Sequence, residues 1–190
     1  SPLSGTRQPR ACSVGFSMLN YALYQVGWFA CILGAAWGWP VAGAAVAVAL
    51  IGVHVVVSGT QWRAEVALAG VALALGLVVE GFQVKSGTYA QFTSGVVLAW
   101  MSPPWLLVMW AQFATVCRWS LKGVMLVPWR AVLFGALGGP IAFWAGERLG
   151  AVDLARPLSE GFLRLAMSWA IALGALSFVA RRLNRTRASQ

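Results

Sequence analysis

Between Arg10 and Arg63 lie 52 residues without a single Lys, Arg, Asp or Glu. A membrane helix needs about 20 mostly apolar residues, so this run is too long for one span and right for two. The break falls at Trp37-Gly38-Trp39-Pro40. Proline ends the helix before it and suits the first turn of the next. Composition points the same way: the chain is 59% hydrophobic and only 10% charged, where a soluble domain carries roughly 25% charged residues. That excludes a globular cytosolic enzyme, a disordered chain and a disulfide scaffold. A net charge of +9 would otherwise suggest nucleic-acid binding. Here the cations are few and scattered through apolar sequence, so they read as topology charges and no nucleic-acid partner is expected.

Marking the remaining charge gaps gives an all-α fold, a polytopic bundle of six transmembrane helices. The spans are Ser17–Trp37, Pro40–Ser58, Glu65–Gln83, a fourth ending near Leu121, Trp129–Glu147 and Glu160–Ala180. The fourth lies in the 32 uncharged residues from Ser86 to Cys117, interrupted by Pro103-Pro104. The prolines predict a helix that Ser102 caps, preceded by a short element over Gly95–Met101; one long kinked helix from Thr93 is the alternative. The whole chain is then one membrane domain. It comprises a polar cytoplasmic segment at 1–16, not a signal peptide, a bundle at 17–180, and a basic cytoplasmic tail at 181–190.

Orientation follows from the cations. Ten of the fourteen fall on the side of the N-terminus, and Lys85, Arg148, Arg156 and Arg164 fall on the other. The positive-inside bias puts both termini in the cytoplasm. Four of the five acids, Glu80, Glu147, Asp153 and Glu160, join the outer cations; only Glu65 lies inside.

Polar groups at membrane depth need a reason, because each costs on the order of 2–3 kcal/mol on insertion scales. Tyr21, Gln25 and Trp28 recur on one face of the first span. Asn20, His54, Glu65 and Gln112 sit at comparable depth in the cytoplasmic half. Tyr21, Gln25, His54, Glu65 and Gln112 are therefore the candidate ligand-binding residues, converging on one cavity if their helices are neighbours. His54 with Glu65 is the candidate catalytic pair, able in principle to move a proton. A second polar layer, Glu80, Gln83 and Glu147, is expected to reach water near the outer face. The plain alternatives stay open: aromatic interface anchors for the tyrosines and tryptophans, interhelical hydrogen bonds for the amides.

Absences narrow the chemistry. One histidine cannot build a two-His haem site, no metal-ligand or phosphate-loop motif occurs, and no Gly-x-Ser-x-Gly is present. No cofactor and no metal are expected. Cys12, Cys31 and Cys117 have no paired spacing and read as packing residues. Gly135 and Gly139 form a Gly-x-x-x-Gly step for close helix approach, and Pro140 removes a backbone donor at mid-span.

The string Asn20-Tyr21-x-x-Tyr24-Gln25-x-Gly27-Trp28-Phe29, the block Pro103-Pro104-Trp105-Leu106 with Trp110, and Gly138-Gly139-Pro140 together resemble a family of small bacterial inner-membrane proteins. It is known only as domain of unknown function 2878. The resemblance supplies no activity. Members resemble products of gene clusters that also hold cyclopropane-fatty-acid-synthase-like enzymes, which implies lipid-related work. Three functions remain: handling of a lipid, with membrane lipids as partners; service as an accessory subunit beside a membrane-protein partner; and carriage or capture of a small solute, as in substrate-binding subunits of energy-coupling-factor importers.

Overall fold

Two hairpins and a buried helix between them organise the chain. The computed structural model describes the backbone of residues 10–188 and the side chains of 15–184. The expectations for the polar start, for Cys12 as a packing side chain, and for the side chains of the tail beyond Asn184 lie outside the described residues. Helix α1 spans Arg10–Ala36 and α2 Pro40–Val57. Between them Gly38 adopts φ +79°, a left-handed conformation that glycine takes without strain, and Pro40 opens α2. A short turn, Gly59–Gln61, leads to α3, Trp62–Lys85. After α3 comes strand β1, Tyr89–Phe92, then an irregular stretch to Pro103 and helix α4, Pro104–Cys117. A one-turn helix α5, Lys122–Met125, precedes α6, Pro128–Arg148. Strand β2, Val152–Leu154, and the long α7, Leu158–Ala188, complete the chain.

The molecule is all-α with one small ribbon. Strands β1 and β2 pair antiparallel, Phe92 opposite Val152 and Tyr89 opposite Leu154, and close one end of the bundle. This ribbon end also holds the α1–α2 turn, since Ser94 Oγ donates to the Ala35 carbonyl at 2.7 Å. The opposite end holds the α2–α3 turn, residues 118–127 and the end of α7.

Pro103 and Pro104 do start a helix, and no helix runs from Thr93 across them. Pro104 takes the first helical position, where its missing N–H is no loss. Two details differ from expectation. Ser102 does not cap the helix; Pro103 holds that position, and Ser102 Oγ is buried without a partner. The residues before the prolines are turns rather than a helical element, and the helix ends at Cys117 rather than near Leu121. At the other end of the chain, α7 runs past Ala180 through the basic tail.

Helix α4 is the hub. Ten of its fourteen residues are buried, and it packs on α1, α2 and α3. At 1.5 Å per residue it is about 21 Å long, short of a bilayer's ~30 Å hydrocarbon core. Burial inside protein removes the need to match that thickness. The helices around it are inside-out by soluble standards: Val41, Val56, Val78 and Ile171 are all largely exposed. Four helices are long and apolar enough to cross a membrane: Gly15–Ala36, Pro40–Val57, Gly59–Lys85 and Leu158–Asn184. Aromatic–cation pairs mark both ends, with Arg63 over Trp62 and Arg130 over Trp129 at one and Arg148 over Trp144 at the other. Such pairs suit the level where hydrocarbon meets headgroups.

Missing side chains zip the two hairpins. A Cβ on Gly43 of α2 would lie 2.2 Å from the Ala30 carbonyl oxygen of α1. A Cβ on Gly135 of α6 would lie 2.3 Å from the Trp169 carbonyl oxygen of α7. Both are backbone atoms, which cannot rotate away. Gly70 has open space instead. Gly135→Ala is therefore expected to destabilise the protein by about 1–3 kcal/mol through overpacking. Gly70→Ala should be neutral or slightly stabilising, because alanine is the better helix former. Thermal unfolding of the detergent-solubilised variants checks the contrast; equal midpoints would refute it.

Candidate functional site

The polar groups of the bundle assemble into two networks, one at each end, with an apolar slot between. Glu65 stands in the first turn of α3, where a helix N-terminus favours a carboxylate. Arg118 follows the last turn of α4. Its Nη1 donates to Glu65 Oε1 at 2.6 Å, and both side chains are nearly inaccessible, 3% and 2% exposed. Trp119 Nε1 donates to the same oxygen at 3.0 Å, and His54 Nε2 reaches Glu65 Oε2 at 3.2 Å. Arg118 also donates through Nη2 to Gln61 Oε1 at 3.1 Å and through Nε to Asn184 Oδ1 at 3.2 Å.

The histidine's tautomer follows from its partners. Asn20 Nδ2 donates to the Thr115 carbonyl and to His54 Nδ1, both at 3.1 Å, while Ser120 Oγ donates to Asn20 Oδ1 at 2.6 Å. The amide group of Asn20 is thus fixed in orientation, and Nδ1 of His54 must accept. The ring proton sits on Nε2 and points at Glu65. The Ser58 hydroxyl, which donates to the His54 carbonyl at 2.7 Å, closes the last turn of α2 beneath the ring. This arrangement fastens α1, α2, α3, the 118–120 segment and α7 to one carboxylate. Chemically it holds an anion still rather than releasing a proton to a ligand.

Two cavities adjoin it. One, of about 850 Å³, is open at this end and lined by Ser17, Met18, Tyr21, Gln61, Arg118 to Lys122, and Asn184. The other is an apolar slot of about 380 Å³ between α1 and α6, floored by α4 and α7. Trp28, Ile32, Met109, Phe134, Ile141 and Trp169 are among its walls. Its rim residues Tyr21, Phe134 and Ile141 are exposed, so it opens sideways along the helices. Tyr21 and Leu121 line both cavities.

Set against the sequence expectations, His54 and Glu65 touch, as a pair behind Arg118 and Trp119; neither lines either of these two cavities. Tyr21 and Gln25 lie on the slot, and Gln25 Nε2 donates to Tyr21 Oη at 3.3 Å. Gln112 goes elsewhere. Its amide lies against Gly27, where a Cβ would leave no room, and donates to the Tyr24 carbonyl at 3.4 Å while Oε1 is buried without a partner. The expected convergence of Gln25, His54, Glu65 and Gln112 on one cavity is therefore not what the fold builds. Equal depth brought only His54 and Glu65 together, because Gln25 of α1 and Gln112 of α4 project elsewhere.

The ribbon-end layer also differs from expectation. Glu80 and Gln83 do not reach water; both are fully buried. Tyr89 Oη donates to Glu80 Oε2 at 2.5 Å and Trp110 Nε1 to Oε1 at 2.9 Å. Burial, and secondarily the adjacent Glu80, push the Tyr89 phenol well above its ordinary pKa, so it stays the donor. Gln83 bridges Ser168 and Thr88, each at 2.6 Å. Glu147 pairs with Arg156 at 3.1 Å.

The residues that sequence reasoning missed are Arg118, Trp119, Gln61, Thr115, Ser120 and Asn184. One signal pointed to the first: Glu65 is a lone acid among ten cations on its side of the chain, and a buried carboxylate needs a cation. Among the described residues no three His, Cys, Asp or Glu side chains come together as metal ligands would.

A family model, that of a protein of unknown function designated DUF2878, matches residues 17–175. The chain belongs to this family. No curated protein and no solved structure matches it. Within this DUF2878 chain the matched segment contains the slot and the whole network except Asn184.

Removing one partner of a buried ion pair strands the other charge, which typically costs 3–5 kcal/mol. Glu65→Gln and Arg118→Met are each expected to lower stability by about that much. The double variant should lose clearly less than the sum, since neither charge is then left alone. Unfolding midpoints of the four proteins in one detergent measure the coupling, and strict additivity would mean the pair is not coupled.

Proposed function

We propose that this protein holds one long-chain amphiphile in the bilayer, its apolar chain in the slot between α1 and α6 and its polar end in the open cavity. The observation that carries this reading is the shared wall. Tyr21 and Leu121 border both spaces, so a polar cavity continues into an apolar one that faces sideways along membrane helices. A molecule filling both must be polar at one end and apolar along its length. The slot's volume is near the lower bound of small-molecule pockets, about 300–1,000 Å³, which suits a single chain. A small polar solute would find few partners in that slot. Binding is favoured over chemical modification because His54 and Glu65 lie behind Arg118 and Trp119, out of a ligand's reach.

The setting is a bacterial inner membrane crossed six times, with both termini in the cytoplasm. Helix α6, with 21 residues, is long enough to join the four apolar helices, and α4 crosses inside the protein. Arg63, Arg118, Lys122, Arg130, Arg181 and Arg182 gather at the open-cavity end. At the ribbon end Arg156 pairs with Glu147, and Arg164 with Glu160. Among the described residues the cavity end carries these six cations and one acid, Glu65, against four cations and four acids at the ribbon end, and this excess of positive charge supports placing the cavity end inside. A reporter fused after Gln190 is expected to be active as a cytoplasmic reporter and silent as a periplasmic one; the reverse would overturn the orientation.

Filling the slot tests the binding. Gly138 has only the edge of Phe134 within reach of a Cβ, so Gly138→Phe and Ala142→Trp would project bulk into the slot. Native mass spectrometry of the protein in mild detergent should find a retained amphiphile in the parent and loss of most of it in either variant at unchanged unfolding midpoint. Equal retention would overturn the proposal.

A further inference from the structure

The cavity end of the path has a definite donor–acceptor character, and this decides the headgroup. Gln61 and Asn184 both line the open cavity, and each gives its carbonyl oxygen to Arg118. What they have left for a ligand is amide N–H. Asn184 Nδ2 is buried and has no partner among the described residues. Arg118, 6% exposed, carries five N–H donors and uses three of them on Glu65, Gln61 and Asn184. Lys122 is exposed on the cavity wall and forms no ion pair among the described residues. No acid lines the cavity; Glu65 stands behind Arg118. Hydroxyl acceptors remain on Ser17, Tyr21 and Ser120, the last with its proton shared between Asn20 Oδ1 and the Ser17 carbonyl.

We infer that the amphiphile's headgroup is an oxyanion, a carboxylate or a phosphate monoester, received by Lys122 and by the unpartnered N–H groups of Asn184 and Arg118. This rests on the slot reading above and adds the ligand's charge. Donors in excess of acceptors, in a cavity whose described lining holds two cations and no acid, match a group that only accepts. A zwitterionic phosphocholine would bring its trimethylammonium against Lys122, and a cationic head would meet only repulsion. An oxyanion would also give an acceptor to the Asn184 N–H, which has no partner among the described residues.

The test uses the full chain in mild detergent and four amphiphiles with one common chain: hexadecanoate, hexadecyl phosphate, hexadecylphosphocholine and hexadecyltrimethylammonium. The two anions are expected to bind at least about tenfold tighter than the other two, the size of one charge-assisted hydrogen bond. Lys122→Gln, at an exposed position, should remove about tenfold of the anions' affinity and leave the phosphocholine unchanged. Asn184→Asp keeps the oxygen that Arg118 uses but replaces the free donor with an acceptor. It should abolish or reverse the preference for anions in a protein that still folds. Which anion binds tighter identifies the carboxylate or the phosphate. Equal binding of all four, or an anion preference untouched by both variants, overturns the inference. If those results come with Ala142→Trp still weakening every ligand, the slot reading stands alone; if Ala142→Trp weakens none, the slot reading has failed first.

Discussion

A carboxylate buried in a membrane-like bundle is unstable unless something charged meets it, and the fold is arranged around that requirement. Glu65 is 3% exposed and receives Arg118, Trp119 and His54. Arg118 reaches it from the residue that caps α4, just past Cys117. The same guanidinium then fixes Gln61 in the α2–α3 turn and Asn184 in α7. Asn20 of α1 joins through His54. Apolar contacts alone are poorly directional between helices in lipid, since lipid tails are as apolar as leucine. A single paired charge with several hydrogen-bond partners gives those helices a register at one end.

The slot is explained by where close packing is absent. Gly43 lets α2 seat against α1, and Gly135 with Gly139 lets α7 seat against α6, the latter under the Trp169 ring. Each hairpin is therefore tight within itself. The surfaces that α1 and α6 turn toward each other carry Tyr21, Trp28, Phe134 and Ile141, with the small Gly138 and Ala142 leaving space between them. Large side chains on both sides hold the helices apart, and α4 and α7 supply a floor rich in tryptophan. Trp110 and Trp169 lie 4.4 Å apart between ring centroids at that floor, and Trp169 Nε1 has no partner. Helix α6 runs through Pro140 without a break, and that proline leaves the Ala136 carbonyl without its intrahelical donor beside the slot-lining Gly138.

Much of this was legible in the residue order, and the rest was not, for identifiable reasons. Charge gaps and prolines located the long helices, because apolar length and a missing N–H act locally. The Pro103-Pro104 helix start is of that kind. Gly135 and Gly139 marked the α6–α7 contact for the same reason. The His54–Glu65 contact was reachable because the two residues flank one short turn. What failed depended on which helix faces meet. Gln112 shares a depth with His54 but turns to Gly27 across α1. Glu80 and Gln83 looked placed to reach water, and the ribbon seals them; a pairing of three and four residues from distant segments leaves no periodic signal. Arg118 read as a topology charge because nothing local distinguishes an exposed cation from one folded back onto a carboxylate.

The shortness of α4 links these observations. A helix of about 21 Å in a core of ~30 Å leaves several ångströms of depth that must hold something other than helix. Irregular backbone at membrane depth is tolerated only where it is buried in protein or lines a cavity. Residues 118–121 meet both conditions: Arg118 and Trp119 turn inward to Glu65, and the same stretch walls the open cavity. Arg118 keeps helical backbone angles as the cap of α4, and the chain leaves the helical path after it. The early stop of one buried helix therefore sets the anchor for the buried charge beside the open cavity, and Leu121, just past the stop, borders both that cavity and the slot.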